Sequence, residues 1–328
     1  MNRTYGRFVV EQTGAPDVMR WVQEPAQTVG ADDVRVRHEA IGVDYIDTQI
    51  RAGEMPATLP TGLGFAGVGI VEETGANVTH VKEGDRVAYM YFTAGSYGEE
   101  RVVPGERIFR LPDQTLAPDL AAGALFRGLT AWYLSTRLRT IKPGDAVLVH
   151  AAAGGVGLML TQWLKHLGAT VIGTVNSQEK ADVLREFGCL HAVVIPQESF
   201  VDKVCEVTGG KGVAVVYESI GRETFEGSLD CASRFGLIAS FGWPSGDPGP
   251  VSLMHLRSKG SLFITRPTVT QYTADAADFR EGAAALFGLI QNGTLRVKVG
   301  NAYPLKDAAK AHTDIVAGRT VGSVVLTV

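Results

Sequence analysis

The chain of 328 residues is poor in cysteine: Cys189, Cys205 and Cys231 are the only three, and no two form a C-x-x-C pair. An odd, widely spaced set gives no disulfide framework and no structural zinc knot. Long apolar runs are also missing. None reaches the roughly 20 residues of a membrane span, and the opening MNRTYGRFVVEQTG has no apolar stretch of signal-peptide length. No basic run is present, and the formal net charge is -4, which argues against electrostatic binding to nucleic acid or an anionic membrane. Low-complexity segments and solenoid-length repeats are absent. The seven histidines are scattered without a paired-ligand spacing, so His150 reads as a packed or hydrogen-bonded residue. What remains, 45% hydrophobic and 20% charged, is a globular composition for one large domain or two ordinary ones, expected in the cytoplasm.

The pattern changes twice along the chain. Residues 1–124 are rich in turns and short strands: VRVRHEAIGV alternates, and GVGIVEETG, GDRVAYMY and GEERVV are strand candidates. That spacing favours a compact barrel-like β domain. LFRGLTAWYLSTRLR then has helical spacing. After it, apolar strands alternate with helices: DAVLVHA, GLMLTQWLKHLG, TVIGTV, QEKADVLREFG, HAVVI, FVDKVCEVTG, VAVVYESI, FEGSLDCASRFG, LIASFG and LFITRP. Such alternation implies a parallel sheet covered on both faces. Beyond Arg266 mixed character returns, with helices near AADFREGAAALFGLIQNG and LKDAAKAHTDIVAG and a last strand VGSVVLTV.

Between DAVLVHA and the next helix stands Ala152-Ala153-Gly154-Gly155-Val156-Gly157, a G-x-G-x-x-G pattern with alanine at its first position. Small residues permit a sharp turn and close approach of backbone to a pyrophosphate, and the last glycine lets helix pack on strand. Free N–H groups at the helix start suit the phosphates. An ordinary tight strand-to-helix turn is the plainer reading, but strand, knot, helix and second strand occur in the order that dinucleotide binding requires. An NAD site usually carries Asp or Glu about 20 residues past the knot, on the ribose 2′-OH. Here that region reads Gly173-Thr174-Val175-Asn176-Ser177, with Lys180 just beyond. A missing anion and a nearby cation suit a 2′-phosphate, hence NADP(H). The alternative for Lys180 is a solvated helix residue.

Taken with these motifs, VHAAAGGVG, FRGLTAWYL, AIGVDYIDTQIRAG, VTGGKGV, YESIGRETFEGSLDC, FITRP and YPLKDAAKAH resemble the bacterial quinone oxidoreductases, the zeta-crystallin-like, zinc-free branch of the medium-chain dehydrogenase/reductase superfamily. The resemblance spans essentially the whole chain. It implies an α/β protein with a GroES-like, β-barrel-like catalytic domain (1–124 and 266–328) and a Rossmann domain with a doubly wound parallel sheet (125–265), the cofactor lying between them. It implies that Gly154, Gly155, Val156 and Gly157 hold the pyrophosphate and that Asn176, Ser177 and Lys180 surround the 2′-phosphate. Ser219, Gly221, Ser240, Phe241, Gly242 and Thr130 would face the nicotinamide. A homodimer through the SLFITRP edge strand is expected, since an unpaired apolar edge is a liability.

The related zinc alcohol dehydrogenases use a Cys and a His-Glu pair, where this chain has Asp44 and Phe65-Ala66; neither Phe nor Ala can ligate a metal. Departures from the resembled family are Asp44 for its usual Asn, Ala66 for Glu, Ile195-Pro196 where Tyr is common, and a changed substrate mouth around Gln49, Glu54 and Met55. The expected function is NADPH-dependent reduction of a quinone by metal-free hydride or electron transfer from the nicotinamide. The alternatives are reduction of an enone or other activated alkene, and a non-catalytic NADPH-binding protein. A hydrogen-bond donor must meet the developing negative charge, and Tyr45 and Thr130 are the candidates. Asp44 has two readings: a desolvated acid that donates when protonated, or a structural charge that points into solvent or pairs with a base such as Arg51.

Overall fold

The computed structural model describes residues 3–195 and 197–328, so that Pro196 lies outside the described residues. The chain forms two compact units. The first comprises Met1–Arg127, Thr273–Gln291 and Val297–Val328; the second comprises Gly128–Tyr272 and Asn292–Arg296.

In the first unit a seven-stranded sheet is organised around the strand Asp33–Gly42. One edge pairs antiparallel with Ala66–Thr74. The other edge is shared: Asp33 to Arg37 take Glu100–Pro104, and Ala40 to Gly42 take Ser323–Thr327. Register shifts between Arg35 and Val36 and between His38 and Ala40 bend the strand so that it can serve both partners. The alternation legible in VRVRHEAIGV is broken at Arg35, which is buried because its Nη1 lies 2.7 Å from the buried Glu100 Oε1. A separate hairpin pairs Thr4–Val10 with Met19–Pro25. Phe8, Val10, Ile41, Val43, Ile50, Leu63, Tyr97 and Leu326 form one core cluster; Val34, Val36, Val71, Val87, Tyr89 and Val103 form another.

The second unit holds a six-stranded sheet. Its strands are β1 (Ala146–Val149), β2 (Thr170–Val175), β3 (His191–Val194), β4 (Val213–Glu218), β5 (Ala232–Ser240) and β6 (Phe263–Thr265). They lie in the order β3-β2-β1-β4-β5-β6, and every pairing is parallel. This is the doubly wound order whose direction reverses between β1 and β4. Helices Gly155–His166, Gln178–Glu186, Phe200–Thr208, Phe225–Cys231 and Leu253–Ser258 fill the connections. Serines at 177, 199 and 252 cap three of them, each accepting a backbone N–H of the first turn.

One helix is shorter than its sequence suggests. The stretch FEGSLDCASRFG is helical only to Cys231, and Ala232 already pairs with Val213. Pairing then skips to Leu237 opposite Val215, with Phe235 at φ 62 in the intervening irregularity. Arg139 Nη1 ties this bulge down, donating to Ala214 O (3.2 Å) and Phe235 O (3.0 Å).

Candidate dinucleotide-binding site

Because the strands are parallel, their carboxyl ends share one edge, and the sequence motifs of the second unit gather there. Val149 of β1 is level with Gly173 of β2 and with Tyr217 of β4, and Glu218 is level with Ser240 of β5. A crevice at the carboxyl edge near the switch point is where open α/β sheets take their ligands.

The knot turns sharply. Ala151 adopts φ 47, Gly154 N–H donates to Ala151 O (2.9 Å), and Gly154 is the N-cap of helix Gly155–His166. A Cβ on Gly157 would lie 2.5 Å from Ala151 O and 2.6 Å from Ala152 Cα. Only glycine lets the helix descend this closely onto the turn. Gly173 continues the same approach, since a Cβ there would meet Leu184 Cδ2 at 2.7 Å and Ala152 Cβ at 2.9 Å. The geometry fits a pyrophosphate held by backbone N–H groups at a helix start.

At the end of β2, Asn176 is exposed and Ser177 caps the next helix, its Oγ accepting from Lys180 N (3.3 Å). Gly173 to Ser177 include no carboxylate, and the exposed Glu179 comes only in the first turn of the helix. Lys180 is half-buried, and that burial lowers its pKa.

The ends of β4 and β5 are joined backbone to backbone. Phe241 N–H donates to Glu218 O (2.8 Å), Ser245 N–H to Ile220 O (2.9 Å) and Arg222 N–H to Gly246 O (2.9 Å). A Cβ on Gly242 would lie 2.7 Å from Ser219 O, and one on Gly221 would lie 2.4 Å from Gly246 O. Ser219 Oγ donates to His150 O (3.0 Å). Glu218 anchors this arrangement and was not among the residues singled out from sequence. It is fully buried. Its Oε1 accepts from Ile220 N (2.7 Å), Gly221 N (3.0 Å) and Thr224 Oγ1 (2.9 Å), and its Oε2 accepts from Ser228 Oγ (2.6 Å). His150 lies in the same network, Nδ1 3.0 Å from Thr174 Oγ1 and Nε2 3.0 Å from Ser228 Oγ. Burial lowers the imidazole pKa, so it stands as a packed, hydrogen-bonded residue. Arg266 was also missed: its guanidinium sits 3.7 Å from the Trp243 ring centroid and donates to Ser240 O (2.8 Å).

Of the remaining candidates, Thr130 belongs to the second unit and is buried on helix Pro118–Thr136, while Asp44 and Tyr45 belong to the first. Asp44 is buried at the N-cap of helix Tyr45–Ala52, its Oδ1 3.2 Å from Arg127 Nη2. Arg51 instead donates to Gly14 O. Asp47, another residue the sequence reading passed over, accepts from Asp44 N (2.9 Å), Gly64 N (3.1 Å) and Tyr97 Oη (3.2 Å). Burial raises the Asp44 pKa against the pull of Arg127. Burial first, and the charge of Asp44 second, raise that of Asp47 to about 7. Tyr45 is 37% exposed, and partial burial raises its phenol pKa. Gln49 O accepts the N–H groups of Glu54 (2.9 Å) and Met55 (3.2 Å), which closes the helix end. Phe65 packs against the core cluster of the first unit, and Ala66 opens the strand Ala66–Thr74.

The sequence pattern described as Alcohol dehydrogenase GroES-like domain matches residues 30–113, and that described as Zinc-binding dehydrogenase matches residues 155–287. The quinone oxidoreductase of Pseudomonas aeruginosa is 43% identical over 314 residues, covering 95% of this chain and 96% of that protein. The chain belongs to the quinone oxidoreductase family. The Escherichia coli quinone oxidoreductase complexed with NADPH has a similar structure, with TM-score 0.95 at 40% identity over 98% of this chain and 100% of that one. A 2-haloacrylate reductase of a Burkholderia species is 41% identical over 97% of both chains. Two relatives that resemble the chain to a similar degree therefore carry names stating different acceptors.

Two outcomes follow from this geometry. Gly157→Ala forces backbone to move and is expected to cost about 1–3 kcal/mol and to weaken NADPH binding. Gly288→Ala, with open space around its Cβ, should be neutral or stabilising. Urea unfolding and NADPH titration of the two variants check this. For the acid pair, carboxyl carbon NMR should find Asp47 titrating near pH 7, and Asp44→Asn should move that midpoint down. An unfolded Asp releases its proton at about pH 4, so this carboxyl makes stability fall as pH rises from there to about 7. A midpoint in the ordinary carboxylate range for wild type would refute the shift.

Proposed function

We propose that the chain is an NADPH-dependent reductase of a quinone, acting without a metal. The observation that carries this is the carboxyl edge of the β3-β2-β1-β4-β5-β6 sheet, with a knot only glycine permits at Gly157 and a β2 end lacking a carboxylate. Reduction of an activated alkene is the second reading, favoured by the 41% identical 2-haloacrylate reductase.

In this reading Gly154, Gly155, Val156 and Gly157 hold the pyrophosphate, and Asn176, Ser177 and Lys180 surround the 2′-phosphate. Ser219, Gly221, Ser240, Phe241 and Gly242 line the nicotinamide end, where the Glu218 carboxylate holds the two loops in place through its bonds to Ile220 and Gly221. NADPH, when bound, supplies the hydride. Either acceptor then needs one proton where negative charge develops. Tyr45 and Thr130 are the proposed donors, and the raised phenol pKa keeps Tyr45 in its donating form. Asp44 has an added role: with Asp47 it forms an acid pair that retains a proton near neutrality. The first unit serves as the catalytic domain and the second as the cofactor domain. Phe65 and Ala66 cannot replace a zinc-binding His-Glu pair.

The test is NADPH oxidation against a panel of quinones, enones and 2-haloacrylate, with a chelator present throughout. Quinones should give the highest kcat/KM, and activity lost to the chelator would overturn the metal-free reading. Lys180→Ala should weaken NADPH about ten-fold or more, as loss of a charge-assisted contact does, and leave NADH nearly unchanged. Equal losses for both cofactors would dispose of the phosphate role.

We also propose a cytoplasmic homodimer. The exposed thiol of Cys205 suits a reducing compartment. Strand β6 is a sheet edge, with Phe263 62% and Ile264 38% exposed, and pairing with a second copy would cover it. Light scattering should give a dimer mass, and Phe263→Glu should lower it towards one chain. A wild-type monomer at micromolar concentration would refute the assembly.

A further inference from the structure

The first unit contains a cavity of about 540 Å³ bounded by the strand Thr4–Val10, residues 58–62 and the turn 93–95. Its size is that of a small-molecule site. Arg101 lines it and is 8% exposed. The guanidinium donates to Ser96 Oγ (3.0 Å) and to Thr93 O, and lies 5.2 Å from the Tyr91 ring centroid. The acids nearest it in the chain are committed elsewhere. Glu100 pairs with Arg35 and Arg3, and Glu99 accepts from Gly6 N (2.7 Å). Among the described residues Arg101 has no carboxylate partner.

A guanidinium so buried without an anion is costly. Arg35 and Arg127 show the usual solution in this same unit, each paired with a buried carboxylate. At Arg101 the side facing the cavity has no such partner. The other arginine on the wall, Arg7, is already neutralised, with Glu24 accepting at both Nε (2.7 Å) and Nη2 (2.8 Å). The wall therefore carries one uncompensated positive charge, which suits a monoanion better than a dianionic phosphate. The planar fork of a guanidinium matches a carboxylate. Tyr5 and Tyr91 add aromatic surface, and Thr58 stands exposed at the rim.

We propose that this cavity is a second binding site, taking a small monoanionic carboxylate with a flat apolar body, its carboxylate on Arg101. None of the residues assigned above to the cofactor or to proton donation lines it, and the proposal does not depend on the acceptor that is reduced.

The experiment is equilibrium dialysis of labelled benzoate against the NADPH-loaded chain at low salt and pH 7. Wild type should bind one saturable equivalent. Arg101→Gln should weaken binding about ten- to hundred-fold, as expected for a lost charge-assisted contact. Because Arg101 also holds the turn at Thr93, Thr58→Trp provides an independent obstruction that leaves the arginine in place, and it should abolish binding. Both variants should retain NADPH affinity. Inorganic phosphate and acetate should displace benzoate only at much higher concentration. Absence of saturable binding, unchanged binding in Thr58→Trp, or displacement by acetate or phosphate at concentrations equal to benzoate would each overturn the proposal.

Discussion

The carboxyl edge of the second unit's sheet depends on one buried side chain. Glu218 ends β4 with no exposure to water, and a carboxylate there is tolerable only because hydroxyls and backbone N–H groups converge on it. The bonds to Ile220 and Gly221 fix the turn after β4. That turn fixes the one after β5 through Ser245 and Gly246. Two loops that would otherwise move separately therefore behave as one wall. Removing the charge would leave several donors facing an apolar interior, and the loss would spread from β4 to β5.

Much of the second unit was legible because its signals are local. Strand-length apolar runs, the glycine knot and the uncharged end of β2 are contiguous stretches, each with its own physical meaning. Gly157 is an example: the spacing that suggests close packing in the sequence is met by a real approach of 2.5 Å to Ala151 O. The helix at FEGSLDCASRFG misled for the same local reason. Nothing in that stretch shows that Ala232 is claimed by Val213, which lies in the preceding strand.

What sequence could not disclose was pairing at a distance. Asp44 meets Arg127 across more than eighty positions, whereas Arg51 was the base a reader of the chain would reach first. Glu218 finds its partners at Thr224 and Ser228 and at two backbone N–H groups, with no recurring spacing to flag it. Asp47 looks like an ordinary polar helix residue until Tyr97 and Gly64 converge on it. Buried polar networks of this kind belong to the fold rather than to any segment, and they are where pKa values move furthest from their ordinary range.

The strand Asp33–Gly42 has a consequence for how the chain comes into being. Part of its edge pairs with Ser323–Thr327, which follows the second unit in the chain. On the ribosome that partner emerges only after the second unit. The second unit, whose sheet is drawn from a continuous stretch, can close while synthesis is still under way. The first unit must wait with an unpaired strand edge until Ser323–Thr327 has been made, and pairing across so long a loop is intrinsically unfavourable to rapid folding. The edge of Asp33–Gly42 thus stays open to aggregation for longer than the sheet of the second unit.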